Sequence, residues 1–310
     1  MYNINAKVLV TGGTGLLGRT LKRLAPHWTY IGSSDCDLTD RRAVSDLIRE
    51  LNPEGVIHLA ARVGGIKANV NYPAEFFYQN TSMNLNVIHE SYLAGVKRLV
   101  ACLSTCAFPD IIESYPFSEN SLHLSPPAPT NFEYGYAKRV LDVQVNAYRK
   151  QYNLDYVSLT PCNLYGMGDN FDLETCHLVP ALIVKCISAI ENKEDNIDLL
   201  GTGSPLRQQL YVDDLAKLIQ IIYQYYSMPY PIIVAHPDNL SIKEIAEAVA
   251  RATGYKGKFT FNGQLDGQFR KDGSIQLLLS FLKENNIDFG FTSLEQGLQK
   301  TVEWYLNQLQ

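Results

Sequence analysis

Tyr134 and Lys138 stand four residues apart, and their types and spacing carry the most specific chemistry in the chain. On a helix, residues at this spacing share a face, so a phenol and an ammonium point the same way. A phenol with a pKa of about 10 is a poor acid at neutral pH. An adjacent cation would stabilise the phenolate, lower that pKa and let the tyrosine exchange a proton with a sugar oxygen, while the lysine also reaches a cofactor ribose. Ser104 ends an apolar run and offers a hydroxyl to the same oxygen, with Cys106 two residues beyond. Together Ser104, Tyr134 and Lys138 suggest a carbonyl-reduction site. Tyr and Lys at this spacing also recur by chance on amphipathic helices, so the elements around them decide the reading.

Those elements begin near the N-terminus. Lys7 to Val10 reads as a strand entering Thr11-Gly12-Gly13-Thr14-Gly15-Leu16-Leu17-Gly18, and an apolar helical pattern follows to Leu24. Strand, glycine turn and helix in this order form a dinucleotide-binding unit. Gly12 allows the tight turn, Gly15 the close approach of backbone to pyrophosphate, and Gly18 the packing of helix on sheet, with the phosphates at the helix N-terminus beside Thr14, Leu16 and Leu17. A second strand, Thr29 to Ile31, opens into a loop where Asp37 and Leu38 are placed to meet an adenine. Asp35 there would suit a free ribose 2'-hydroxyl and hence NAD, whereas Ser33 and Ser34 would suit a 2'-phosphate and NADP; the loop leaves both open.

Asp40 to Leu51 reads as an amphipathic helix and Gly55 to Leu59 as a strand, with Ala60 and Ala61 small enough for a ribose to lie on the backbone. Val63 to Asn69 is expected to be a loop that touches substrate, and Ala74 to Ala94 a long helix. Arg98 to Leu103 is the fourth strand. The long proline-rich connection after it, to Pro129, has the length of a functional loop. A helix from Tyr134 to Tyr152 and a strand from Tyr156 to Thr160 continue the alternation. Alternating strands and helices imply an α/β fold with a doubly wound, Rossmann-like parallel sheet.

The alternation stops after Pro161-Cys162-Asn163-Leu164-Tyr165-Gly166. A helix starting near His177, a strand at Ile197 to Leu200, a strand at Arg207 to Val212 and a helix at Asp213 to Tyr225 follow. The remainder is expected to hold two strands and two helices, one of them opened by Ser241 with Glu244 as its capping-box partner. The expected division is a dinucleotide-binding domain of residues 1–164 plus roughly 207–236, and a smaller C-terminal α/β substrate-binding lobe of 165–206 and 237–310.

The chain has 310 residues, 46% hydrophobic and 19% charged, which suits one large domain with a smaller lobe. A formal net charge of -5 gives no basic footprint, so no nucleic-acid or membrane partner is expected. The polar start and the absence of a long apolar run read as cytoplasmic. Six cysteines without CxxC spacing argue against a metal site or a disulfide framework.

With these residues in place the chain resembles the GDP-L-fucose synthases, the GDP-4-keto-6-deoxymannose 3,5-epimerase/4-reductases of the extended short-chain dehydrogenase family. The resemblance covers nearly the whole length. It is carried by the Thr11–Gly18 turn with its GxxGxxG spacing, Ala60-Ala-Arg-Val-Gly-Gly65, Leu103-Ser-Thr-Cys-Ala-Phe-Pro-Asp110, Tyr134 with Lys138, Asn163-Leu-Tyr-Gly166, Gly168-Asp-Asn-Phe-Asp172, His177-Leu-Val-Pro180, Gly201-Thr-Gly203 through Arg207, and Asp266-Gly-Gln-Phe-Arg-Lys271. The glycine turn and the Tyr/Lys pair belong to a whole superfamily; the other stretches are narrower.

The resemblance implies NADP(H) and a GDP-sugar substrate. It implies Ser104, Tyr134 and Lys138 as the reduction triad and Cys106 with His177 as the base and acid of epimerisation. Leu59, Ala60, Ala61, Pro161, Asn163, Leu164 and His177 become cofactor contacts beside those of the two loops. Val63, Gly64, Asn163, Lys185, Leu200, Arg207 and Asp266 become substrate contacts, the two cations being suited to a diphosphate. A homodimer joined by a helix bundle is also implied. Leu200 stands where an aromatic often precedes the Gly-Thr-Gly turn, Lys185 where some members have arginine, and Thr14 where some have an arginine for the 2'-phosphate. No residue reads the sugar's C3 or C6 substituent, so a related reductase for another 4-keto sugar remains an alternative at this point, and a dinucleotide sensor a more distant one.

Overall fold

The chain is built around six parallel strands whose carboxyl ends share one edge. The computed structural model describes residues 1–264, 266 and 268–309. Gly267, in one of the stretches that carries the resemblance, lies outside them. In chain order the first half comprises β1 (Val8–Thr11), α1 (Leu16–Leu24), β2 (Thr29–Ile31), α2 (Arg41–Leu51), β3 (Gly55–His58), α3 (Ile66–Asn71), α4 (Pro73–Leu93), β4 (Arg98–Cys102), α5 (Phe132–Tyr152) and β5 (Asp155–Pro161). After these come β6 (Asn163–Tyr165), α6 (Leu178–Asn192), β7 (Asn196–Leu199), β8 (Leu206–Arg207), β9 (Gln209–Tyr211), α7 (Val212–Tyr225), β10 (Ile232–Val234), β11 (Leu240–Ser241), α8 (Ile242–Thr253), β12 (Lys258–Phe261), α9 (Gln276–Glu284) and α10 (Leu294–Leu309).

The main sheet runs β10-β5-β4-β3-β1-β2 with every pairing parallel. Strands β1, β3 and β4 are buried along their whole length, as strands covered by helices on both faces must be. The chain leaves β1 to one side for β2 and returns to its other side for β3, so the order reverses there. A crevice opens above such a switch point, at the carboxyl ends of the strands. A second apolar cluster lies away from the sheet, with Tyr165, Ile183, Tyr211, Ile245 and Leu298 among its buried members. Within the C-terminal stretch, Leu278, Phe281 and Leu282 of α9 belong instead to the first cluster, around the sheet.

Local chemistry explains most boundaries. Asp40 caps α2 by accepting from the N–H groups of Arg42 and Ala43. The Ser241–Glu244 capping box forms in full at α8. Three expectations change. Residues after Gly65 are helical, not loop, because the buried Asn69 amide donates to the carbonyls of Gly64 and Gly65 and closes the turn from which α3 starts. The single strand expected at Arg207–Val212 breaks at Gln208. Its buried amide bonds His236 O and both backbone groups of Gly273, so the chain pairs antiparallel with β11 before it and parallel with β6 after it. Among the described residues the C-terminal remainder holds three helices, the short α9 being the extra one. Among the described residues no helix is both long and apolar enough to cross a membrane.

Candidate active site

At the glycine turn, shape is set by backbone crowding. Gly12 has φ +74°, and a Cβ there would stand 2.8 Å from Ala60 N, so the turn after β1 presses on the chain leaving β3. A Cβ on Gly18 would come within 2.6 Å of Gly13 Cα and closer still to Gly12 O, so α1 is seated directly on the turn. Gly15 caps α1 in an extended conformation and contributes no side-chain hydrogen bond, which leaves the first N–H groups of the helix open to an anion. Arg19 donates to the carbonyls of Thr14 and Gly168 and ties this turn to the loop after β6.

Behind the turn a polar relay joins the cofactor side of the sheet to the helix bearing Lys138. The Thr11 hydroxyl meets His58 Nδ1 at 2.8 Å, His58 Nε2 meets Asn84 Oδ1 at 3.0 Å, and Asn84 donates to the carbonyl of Ala137. Burial first, and then the Lys138 charge, push His58 down to about 4, so the ring is neutral at pH 7. Thr11 therefore donates to Nδ1 while accepting from Ala60 N.

Ser104, Tyr134 and Lys138, the residues expected to serve reduction, converge at the end of β4. Ser104 caps a 3-10 turn, Thr105–Ala107, by accepting from Cys106 N at 3.2 Å. That turn lies against α5 where a Cβ on Gly135 would sit 2.6 Å from Cys106 O, which is why a glycine interrupts the Tyr134-to-Lys138 turn. Arg139 fixes the same region, donating at 2.6 Å to the carbonyls of both Ala107 and Ser125. Lys138 donates to Cys102 O at 2.8 Å, with its Nζ 5.9 Å from the Tyr134 ring centre.

Here the electrostatics reverse a sequence expectation. The tyrosine pKa is raised, first by burial and then by the Cys106 and Cys102 thiols, against a lowering hydrogen bond from Ser104. Lys138 does not offset this, since its ammonium is held on a backbone carbonyl and is itself pushed down by burial. Tyr134 is thus a protonated donor, not a standing phenolate.

Cys106 meets a partner that sequence reasoning left out of the site. Lys271 Nζ donates to its Sγ at 2.9 Å. Burial raises the thiol pKa, but the Lys271 charge and hydrogen bonds from Lys271, Ser104 and Asn131 outweigh it, and the net direction is down. His177 is the N-cap residue of α6 and is exposed. Its pKa is lowered by desolvation and then by the same Lys271 ammonium. Arg207 is within electrostatic reach of Cys106, Asp266 and Tyr115. Asp266 accepts from Thr202 N at 2.9 Å and Thr202 Oγ1 at 2.6 Å, so its carboxylate holds the Gly201–Gly203 turn.

The remaining positions divide. Leu59, Ala60 and Ala61 follow the end of β3 beside the switch point, Pro161 ends β5, Leu164 lies within β6, and Asn163 donates to Gln208 O. Leu38 is buried in the sheet core, so only its backbone faces the loop surface. The loop acids are engaged locally: Asp35 accepts from Gly32 N at 2.7 Å, and Asp37 from Thr39 N and Oγ1. Ser33 and Ser34 are exposed, as are Val63 and Leu200, while Gly64 packs against Ala68 and Phe76. Lys185, on α6, lies near Cys176. Lys271, Asn131 and Arg139 were missed because each acts through a contact distant in sequence; the one signal for Lys271 was its place in the Asp266–Lys271 stretch.

A switch-point crevice with a glycine turn, and a buried Tyr/Lys pair with a serine at the end of the fourth strand, define a dinucleotide-dependent oxidoreductase of the short-chain dehydrogenase type. Residues 8–231 match the NAD dependent epimerase/dehydratase family, and the chain belongs to that family. It is 38% identical to the GDP-L-fucose synthase of Dictyostelium discoideum, over 97% of this chain and 95% of that one. It is 40% identical to the probable GDP-L-fucose synthase of Drosophila melanogaster, over 97% of each. The crystal structure of a GDP-L-fucose synthetase from Naegleria fowleri bound to NADP superposes with a TM-score of 0.90 at 35% identity, covering 100% of this chain and 95% of that one.

Proposed function

We propose that the protein converts GDP-4-keto-6-deoxy-D-mannose to GDP-L-fucose, inverting C3 and C5 and then reducing the C4 ketone with NADPH. The observation that carries this reading is the placement of Cys106 in the turn that Ser104 caps and against the helix of Tyr134, a proton-handling thiol beside a carbonyl-reduction set. A reductase alone needs no such thiol.

The residues at the strand ends fit the cofactor: the space where a Gly12 Cβ would clash and the open N–H groups of α1 suit a pyrophosphate drawn tight to the backbone. Gly12, Thr14, Gly15, Leu16 and Leu17 would hold it there, and Lys138 its nicotinamide ribose. When bound, the cofactor supplies hydride to C4. With Asp35 engaged by Gly32 N, the exposed Ser33 and Ser34 are left to meet the 2'-phosphate.

The C4 ketone acidifies its neighbours, so one pair of groups serves both centres. Cys106 takes the proton from C3 or C5, the ketone oxygen carries the enolate charge beside Ser104 and Tyr134, and His177 returns a proton on the opposite face. Before the second centre is inverted, Cys106 releases its proton to solvent and the exposed His177 takes one up. Tyr134 then protonates O4 as the ketone is reduced. Arg207 and Lys185 take the GDP diphosphate, with Asp266 positioning the turn that carries exposed Leu200. The protein acts as a cytoplasmic homodimer through the outer faces of α4 and α5, where Phe77, Leu85, Phe132 and Val143 are exposed together.

The experiment is turnover of GDP-4-keto-6-deoxy-D-mannose with NADPH, the sugar product identified by NMR and the mass in solution by light scattering. GDP-L-fucose as product supports the reading. A product reduced at C4 with C3 and C5 unchanged, or no turnover with NADPH bound, contradicts it.

A further inference from the structure

We infer that Lys271 is a positioning residue that keeps Cys106 as a thiolate, ready to accept a proton, and this rests on the reading of Cys106 as the epimerisation base. The two are 165 residues apart in sequence, yet Nζ and Sγ are at 2.9 Å. Lys271 is not a free surface lysine. Arg270 on one side closes a bidentate pair with the buried Asp272 at 2.9 and 2.6 Å, and Asp272 O accepts from Phe117 N in the loop that follows the Cys106 turn. The backbone that carries the ammonium is therefore bound to the same loop as the sulfur.

The charged groups facing Cys106 are cations on three other elements: Lys271, Lys138 on α5 and Arg207 on β8. The uncharged Tyr134, Ser104 and Asn131 complete its surroundings. Lys138 is held on Cys102 O and Arg207 Nη1 on Leu206 O, so Lys271 is the cation whose donor is aimed at the sulfur. Burial by itself would keep the thiol protonated. The ammonium counters that, and after desolvation it is the second cause that lowers the His177 pKa.

The test titrates Cys106 by iodoacetamide alkylation from pH 5 to 10, each cysteine peptide followed by mass spectrometry, because the rate tracks the thiolate fraction. Wild-type Cys106 should titrate below the ordinary thiol value of about 8.5. Lys271→Met should raise the midpoint and slow alkylation at pH 7 by about tenfold, the consequence of a shift of one pH unit. Lys271→Arg, which keeps the charge, should restore it to within about threefold of wild type. Cys36, whose charged neighbours are Asp35, Asp37 and Asp40, should not change in either variant.

Solvent deuterium exchange at C3 and C5 of GDP-4-keto-6-deoxy-D-mannose should fall and recover in the same order. A wild-type midpoint at or above the ordinary thiol value overturns the inference without recourse to any variant. So does an unchanged midpoint in Lys271→Met. A midpoint that moves as described in a protein that leaves this sugar untouched upholds the Lys271–Cys106 pairing and removes the functional reading instead.

Discussion

The two ends of the crevice are held by different kinds of constraint. At the nucleotide end the geometry comes from a short run, Thr11 to Gly18, in which Gly12, Gly13 and Gly18 pack too tightly to accept a Cβ. At the substrate end it comes from side-chain pairs far apart in sequence: Asp266 with Thr202 across 64 residues, and Lys271 with Cys106 across 165. The nucleotide end can therefore be broken by adding one methyl group, whereas the substrate end is loosened one contact at a time. On the proposed reading, a rigid end for a common cofactor and an end built from separable contacts would allow the second to change its sugar while the first stays as it is.

The largest effect that would break this comparison is expected at Gly18. In Gly18→Ala the new methyl meets the backbone of Gly12 and Gly13, with nothing flexible to yield. The expected cost is about 2–3 kcal/mol, a fall in Tm of about 5 °C or more, with loss of NADPH binding. Gly15→Ala is the contrast, since its methyl would stand 3.5 Å from Gly12 O, an ordinary contact. That variant should keep its Tm and lose only affinity, because the pyrophosphate and not the protein is crowded. Differential scanning fluorimetry beside NADPH titration separates the two; equal behaviour of the variants would remove the packing role given to Gly18.

At the substrate end the expected effect is smaller and confined. Asp266→Ala frees the Thr202 turn and should raise KM for the GDP-sugar about tenfold. KM for NADPH and Tm should hold. If both KM values rise together, the two ends are not independent.

The smallest effect sharpens the border between the ends. Asp169, in the loop tied to Arg19, is pushed up to about 6, mainly by burial, and its Oδ2 has no hydrogen-bond partner among the described residues. The native state thus holds a proton the unfolded chain has released between about pH 4 and 6. Stability falls as pH rises through that window, and the full penalty is present above it. Asp169→Asn keeps an acceptor for Asn170 N and should raise Tm by a few degrees at pH 8 and hardly at all at pH 4. A gain of the same size at both pH values would show that the carboxylate is not the source of the penalty.

The same contrast explains what was legible in the sequence. The glycine turn and the parallel alternation were readable because each is a local rule: φ at Gly12, crowding at Gly18, apolar strands covered on both faces. The Tyr134/Lys138 spacing also follows from helix geometry alone. The direction of the tyrosine's pKa does not, since it depends on how deeply α5 is buried and on Lys138 turning to Cys102 O. Lys271 could not be paired with Cys106 by any local pattern. The break at Gln208 was hidden for the same reason, its amide being satisfied by His236 and Gly273. Helix α9 was missed because a short apolar segment carries little periodic signal until its partner surface is known.

The central claim is that one crevice contains two separable proton-handling sets, Ser104/Tyr134/Lys138 for the C4 oxygen and Cys106/His177 for C3 and C5. It is tested most directly by incubating Tyr134→Phe and Cys106→Ser with GDP-4-keto-6-deoxy-D-mannose in deuterated water and following isotope incorporation by NMR before and after adding NADPH. Tyr134→Phe should incorporate deuterium at C3 and C5 and fail to reduce the ketone, while Cys106→Ser should lose the exchange and still reduce the unepimerised sugar. Loss of both activities in either variant, or normal exchange in Cys106→Ser, would contradict the account.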